Sequence, residues 1–589
     1  MNINYQFNTT IQQSDTTLYA ITPDYSMDVI NRQHLFLNHT RQEKTLILEQ
    51  YLSTVIEILQ TFRTFTAHIA EIKRFMQLDK RADDDIRQVL NHLKSQGFLI
   101  SADEVLAAAQ ANTAVKPLQE PPLVVVRTAG RVSLFKRFLQ SAVDNEFHFN
   151  ARYHYLVIDD STAEQAEANA INIAASQLNI THIDKSKQHT ILQTLIKQFP
   201  DDQQQIEFLL GEHALHSLSP TYGRTWNWGV LLSAGKPVVF LDDDCLLHAY
   251  QAPIATKDTV AFGKLSQSVY FLDKSRSLDE QLPRIKLDPI ARLAAMLGQT
   301  PAQLPCNAGS FAGASYQTVN QVNNARVMMS SQAVAGDPGS ASPVWLYYLD
   351  GKNAQRFYGQ TEADYQRHKS ERFMWVGDAQ PTFAFGGNYS VVARGLDNRQ
   401  LLPPTLPIFR NEDALFTNLM HYLYPDGATS HLPWTLAHLP EIERHWRDSD
   451  TQKPKDFDIV IAMDTLTAAD SSWNKQATAS DKLRYLGEQL VGLFNQDKDK
   501  VRQWMYQQQQ RARAAQLRML YNAISNNPSA PKYWQADVAA IIAANTQAEQ
   551  PLICSEQSPK DIASAMRLFG ESLSAWEKLW NYAAKHTLI

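Results

Sequence analysis

Three short apolar runs in the middle of this 589-residue chain end in residues that can carry charge or donate hydrogen bonds. LVVV runs into Arg127-Thr128, YHYLVI into Asp159-Asp160, and KPVVFL into Asp242-Asp243-Asp244. Runs this short and this rich in β-branched residues suit buried parallel strands. In an open parallel sheet, ligands bind beyond the carboxyl ends of the strands, so the three polar ends are expected to meet in one crevice. Alternation along an extended strand end would set Asp242 and Asp244 on one side and Asp243 on the other. Two carboxylates would then face one cation. A hard ion such as Mn²⁺ or Mg²⁺ takes oxygen ligands and commonly binds through one or two carboxylates plus substrate phosphates. The chemistry this suits is departure of a phosphate leaving group whose charge a metal neutralises.

The elements that must position these residues follow from periodicity. Leu134, Phe135, Phe138 and Leu139 lie on one helical face after the first strand. GRTWNWGVLLSAG places Trp226, Val230 and Ala234 on one face, with Gly235 and Pro237 to stop the helix. Strand, helix, strand, helix, strand implies an α/β fold, a mostly parallel sheet with helices on both sides. Further on, Asn411-Glu412-Asp413 opens the helical stretch EDALFTNLMHYLY. Acids there are placed favourably against the helix dipole. His431 and His438 in HLPWTLAHLP are either packed side chains or ligands. Gly386-Gly387-Asn388 allows close backbone approach to a ligand, or a simple turn.

In their order along the chain, VVVRTAGR, LVIDDST, GRTWNWGVLLSAGKPVVFLDDDC, GGNYSVVAR and FRNEDALF resemble the motifs of GT-A glycosyltransferases. The likeness covers about residues 121 to 440 and is closest to the large inverting family that includes cellulose and chitin synthases. It implies a Rossmann-like GT-A domain that moves a sugar from a nucleotide-sugar donor with inversion, with Mn²⁺ or Mg²⁺ as cofactor. Carried over residue by residue, Arg127, Thr128, Asp159 and Asp160 would line the nucleotide pocket. Arg224 and Asn227, three apart on one helix face, would lie near the donor together with Asp243, Gly387 and Asn388. Asp242, Asp244 and His438 would hold the metal. Asp413 aligns with the family's general base, with Glu412 as the other candidate. The interval from Cys245 to Phe383 is longer than in small family members. It contains SQAVAGDPGSASP, read as a mobile loop.

Before this domain, apolar residues from Arg41 to Phe62 recur at three- and four-residue spacing and predict one long amphipathic helix. A second helix would hold Ile69, Ile72 and Phe75, and a third Ile86, Val89, Leu90 and Leu93, before QGFLIS turns into a short strand. This segment resembles the PqqD-like winged-helix domains of enzymes that modify ribosomally made peptides, which implies a peptide or protein acceptor. AAAQANTAVKPLQEPP reads as a linker. The expected division is 1–110 winged helix, 111–120 linker, 121–454 transferase with an insertion at about 250–383, and 455–589 mainly helical.

Fifty-five basic and 61 acidic residues leave a formal charge of -6, with no excess to draw a nucleic-acid backbone. Cys245, Cys306 and Cys554 are too scattered for a disulfide framework or zinc site. With a polar amino-terminal segment and no apolar run of ~20 residues, a cytoplasmic protein is expected, peripheral membrane contact staying open. Two other functions fit parts of the pattern: a nucleotidyltransferase on a similar sheet, and a non-catalytic peptide-binding scaffold.

Overall fold

The computed structural model describes residues 15–111, 121–254, 257–263, 267–378, 380–386, 392–468, 477–546, 552, 554 and 558–589. They are mixed α/β and divide into two compact units. The smaller takes in Met1–Ala114 together with Asp258–Lys264 and Thr300–Ala325, and the larger holds the rest.

In the smaller unit, strand β1 (Tyr19–Ile21) pairs with β5 (Leu99–Ser101), and β2 (Tyr25–Val29), β3 (His34–His39) and β4 (Lys44–Glu49) form an antiparallel sheet. Helices α1 (Leu52–Ile58), α2 (Phe65–Met76), α3 (Asp83–Ser95) and α4 (Ala102–Gln110) complete it. Leu35 and Leu37 of β3 point into a core with Leu59, Ile72, Leu90 and Leu93. The second and third predicted helices are present as α2 and α3, and the strand after QGF is β5. The single helix from Arg41 to Phe62 is not. Its first half is β4, where Leu46 and Leu48 face inward while Thr45, Ile47 and Glu49 face out. Period-two burial against β3 overrides the helical spacing, of whose members only Leu52 and Val55 lie within α1. The supposed linker also begins inside a helix: its AAAQ closes α4, which Ser101 and Glu104 start with reciprocal caps. Residues 112–120 lie outside the described set.

The larger unit is built on a mixed sheet. Strands β6 (Leu123–Thr128), β7 (His154–Asp159), β8 (Asn179–Ile183) and β9 (Pro237–Asp242) are mutually parallel in the order β8-β7-β6-β9. Between them run α5 (Val132–Phe149), α6 (Ala163–Ser176), α7 (Lys185–Gln198), α8 (Gln203–Leu210) and α9 (Tyr222–Leu232). Beyond β9 come β10 (Cys245–Gln251), β11 (Gln267–Phe271), β12 (Arg326–Gly336), β13 (Met374–Asp378), β14 (Thr382–Ala384), β15 (Ala393–Asp397) and β16 (Gly427–His438). Here antiparallel pairing prevails: β15 pairs with β9 and with β12, β13 with β11 and β12, and β10 and β14 with β16, while β12 and β16 are parallel. SQAVAG, expected in a mobile loop, is the buried second half of β12. Its small residues permit close strand packing: a Cβ on Gly336 would collide with the His438 carbonyl.

Helix α10 (Glu412–Leu423) carries the acidic pair, and α11 (Ile459–Ala468), α12 (Ala479–Phe494), α13 (Lys498–Asn526), α14 (Lys532–Thr546) and α15 (Pro559–Ala583) follow. The last helices share a core with the sheet, since Leu486, Leu490, Phe569 and Trp576 join the cluster that contains Val125, Ile158 and Trp226. Indole hydrogen bonds fix this packing: Trp576 Nε1 donates to Leu402 O and Trp580 Nε1 to Asn398 Oδ1, both at 2.8 Å.

Candidate active site

Sheet register brings the motifs together. Arg127 is the neighbour of Asp242 across β6 and β9, and Thr128 is the neighbour of Asp159 across β6 and β7. Parallel strands that end level place their last side chains side by side.

Arg127 lies at the centre. Its Nη2 is 2.5 Å from Asp242 Oδ1, its Nη1 is 3.6 Å from Glu412 Oε1, and its guanidinium lies 4.8 Å from the Trp226 ring. The far face of the same group is Arg394, at the start of β15, whose Nη2 donates to Asp413 Oδ2 at 2.9 Å and whose guanidinium is 5.5 Å from the Trp226 ring. Arg394 also donates to Thr417 Oγ1 and to the Asp413 carbonyl, so the first turn of α10 is clamped. Asn411, which precedes it, sits at φ 70°, a left-handed conformation that asparagine tolerates better than most residues. Two acids from the end of β9 and the start of α10 thus share one guanidinium, although 170 positions separate Asp242 from Glu412.

Burial first, and then the charge of Asp413, push the Glu412 carboxyl up to about 7, against the pull of Arg127. Asp243 is also pushed up to about 7, by burial. Its side chain is enclosed, accepting from Thr128 Oγ1 at 2.7 Å and lying 2.5 Å from Arg131 Nη2. Arg131 Nη1 bonds Asp244 Oδ2 at 2.9 Å, and His438 Nε2 lies 3.4 Å from the same oxygen. Burial works against the charge on Asp244, yet His438 and Arg131 hold its carboxyl well below the usual range. Burial would likewise lower His438, but its bond to Asp244 prevails and holds it above the usual histidine range. The other ring nitrogen, Nδ1, lies 2.6 Å from Asp337 O.

The expected alternation of the aspartates is corrected by this geometry. β9 ends at Asp242, Asp243 and Asp244 form a turn, and β10 begins at Cys245. Asp243 and Asp244 therefore share Arg131, while Asp242 goes to Arg127. Among the described residues, no three histidine, cysteine or acidic side chains form a ready metal-ligand group.

Several residues expected to line the donor pocket have their side-chain hydrogen bonds within the protein. Asn227 is fully buried, donating to Leu209 O and Thr405 O and accepting from Thr405 N, so its amide braces backbone. Asp159 is fully buried and accepts from Ser161 N, Asn169 Nδ2 and His182 Nε2, each at 2.9 Å. Thr128 donates its hydroxyl to Asp243, whose other oxygen faces Arg131. Asp160 and Arg224 do pair, at the edge of the same strand ends. His431 is buried against Ser331 Oγ at 2.6 Å, away from the triplet's ion pairs, and burial pushes it down to about 3. Gly387 and Asn388 lie outside the described residues.

Arg131 and Arg394 were not singled out from sequence, although each ends a quoted motif, VVVRTAGR and GGNYSVVAR. A charged residue closing an acidic-site motif was the available signal. The chain matches no protein-family model and no curated protein.

Proposed function

We propose that the chain is an inverting, metal-dependent glycosyltransferase of GT-A type that moves a sugar from a nucleotide-sugar donor to a peptide or protein acceptor. The observation that carries this reading is the ion-pair chain Asp242–Arg127–Glu412 beside Asp413, which joins strand-end acids to a candidate base in one place. A single-displacement transfer needs both: charge control at the leaving group and a carboxylate to take the acceptor proton.

Asp413 Oδ1 accepts from Ala414 N and Oδ2 from Arg394, so the carboxylate is held in one orientation while about a third of its side chain stays exposed to meet a hydroxyl. It takes that proton as the hydroxyl attacks the sugar carbon. Arg127 and Arg131 supply fixed positive charge at the strand ends, where a nucleoside diphosphate would leave. Asp242, Asp244 and His438 carry the oxygen and nitrogen donors that would hold a divalent ion, which would have to replace the Arg127 contact of Asp242 and the Arg131 and His438 contacts of Asp244; the Nδ1 contact of His438 to a backbone carbonyl fixes its ring. When bound, such an ion neutralises charge developing on the diphosphate. Three free thiols support a reducing, cytoplasmic setting, and none of the described helices is long and apolar enough to cross a membrane. The smaller unit, with its antiparallel sheet beside helices, is read as the winged-helix acceptor-recognition module.

Calorimetry with a panel of nucleotide sugars in Mn²⁺, followed by product analysis, tests the proposal. One donor should bind, and turnover should release a nucleoside diphosphate. Release of pyrophosphate would make the enzyme a nucleotidyltransferase, and absence of binding by every donor would leave a scaffold.

A further inference from the structure

The loop that delivers Glu412 and Asp413 also forms one wall of a second cavity, of about 280 Å³. That wall is Phe409, Arg410 and Asn411, and the opposite wall runs from Lys453 to Ile459. Backbone hydrogen bonds hold both walls. Phe409 and Asn411 sit at φ 73° and 70°, where side chains are strained unless the surroundings hold them. Phe409 N donates to Ser219 Oγ at 3.1 Å, and Leu415 N to Asn411 O at 3.0 Å. Across the cavity, Lys455 N donates to Asn545 Oδ1, and Lys455 O accepts from Gln509 and Arg513.

The charges lining this space do not cancel. Asp458 is spent on Lys455 Nζ at 2.9 Å and on capping α11 through Val460 N and Ile461 N. Asp456 interacts with the charge of Arg513, a buried guanidinium behind the wall. Arg410 and Lys453 remain, both exposed and neither in an ion pair with a described residue. With Arg410, Lys453 and Lys455 set against Asp456 and Asp458, and the Arg410 guanidinium 5.9 Å from the Tyr222 ring, the lining keeps a net positive charge, which suits a compact oxyanion.

We infer that this cavity binds a phosphate group carried by the acceptor, a conclusion that rests on the glycosyltransferase reading for the word acceptor. Arg410 and Asn411 of the cavity wall lead directly into the helix start that carries Asp413, which ties the cavity to the acceptor side of the reaction. Binding of the anion itself involves no donor and no metal.

The test is titration of inorganic phosphate into the full chain, followed by calorimetry and by ³¹P line width, for the parent, Arg410→Gln, Lys453→Gln and the double variant, with Arg131→Gln as the control for phosphate captured at the strand ends. Each cavity substitution should weaken phosphate binding about ten-fold, the double variant should abolish it, and Arg131→Gln should retain it. Equal binding in the parent and the double variant, or loss only in Arg131→Gln, would overturn the inference. Donor binding measured on the same proteins separates the two readings: no donor binding with Arg410- and Lys453-dependent phosphate binding fails the transferase reading alone, whereas normal donor binding with unaltered phosphate binding fails the cavity alone.

Discussion

Arg127 lets two carboxylates lie in one buried place, and the price of that arrangement falls on Glu412. With its carboxyl raised to about 7 by burial and by Asp413, the folded chain holds a proton that the unfolded chain gives up near 4.5. Between those values the folded state binds more protons. Stability from this group is therefore full below the window and is lost as pH rises through it. Glutamine is neutral at every pH, so Glu412→Gln should gain on the parent by up to about 3 kcal/mol as pH climbs through that window. Urea midpoints at several pH values measure it, and parallel curves for the two proteins would refute it. Asp413 has a different task. Asp413→Asn should lower turnover by about 10²- to 10⁴-fold while leaving donor affinity within about two-fold, as loss of a general base does. An equal loss of donor affinity would make Asp413 a structural anchor for Arg394. Both acids were legible in the sequence because they open a helix. Arg131 and Arg394 were not, because a long guanidinium reaches partners on other strands that spacing along one strand does not reveal.

How the acidic pair is held depends on how α9 meets the segment before α10. A Cβ at Gly223 would overlap the Leu406 carbonyl and come within 3.0 Å of Pro407 Cα, both backbone and so unable to swing aside. Gly223→Ala should therefore cost about 1–3 kcal/mol through overpacking and displace the segment that leads to Glu412. Gly492, in the exposed part of α12, meets nothing within 4 Å. Gly492→Ala should stabilise by about 0.5–1 kcal/mol through helix propensity alone. Thermal or urea denaturation of both variants checks this opposition in sign. Strands β6, β7 and β9 were readable because buried parallel strands are continuous apolar runs. β4 was misread because Leu48, Leu52, Val55 and Leu59 fit a helical period although a turn at Gln50 and Tyr51 separates the strand from α1. Spacing cannot report a change of element between two members of its own series.

The division of the molecule was the least legible feature, because sequence reading assumes that a unit is continuous. Residues 258–264 and 300–325 lie within the stretch assigned to the transferase, yet they pack with the amino-terminal unit. Phe311 is fully buried there, 5.5 Å from the Phe62 ring and 4.7 Å from the Phe262 ring, and Gly313 N donates to Phe62 O at 3.0 Å. Contacts between positions some 250 apart leave no periodic trace. Phe311→Ala should cost the smaller unit about 3–5 kcal/mol, the range for emptying a buried phenyl site. Hydrogen exchange should then lose protection at Leu59, Leu90 and Leu99 while Val125, Val157 and Leu241 keep theirs, because those strands have a core of their own. Donor binding in the larger unit should be unchanged. Equal loss of protection at Val125 and Leu241 would mean that the insertion belongs energetically to the sheet, and that the two units unfold as one.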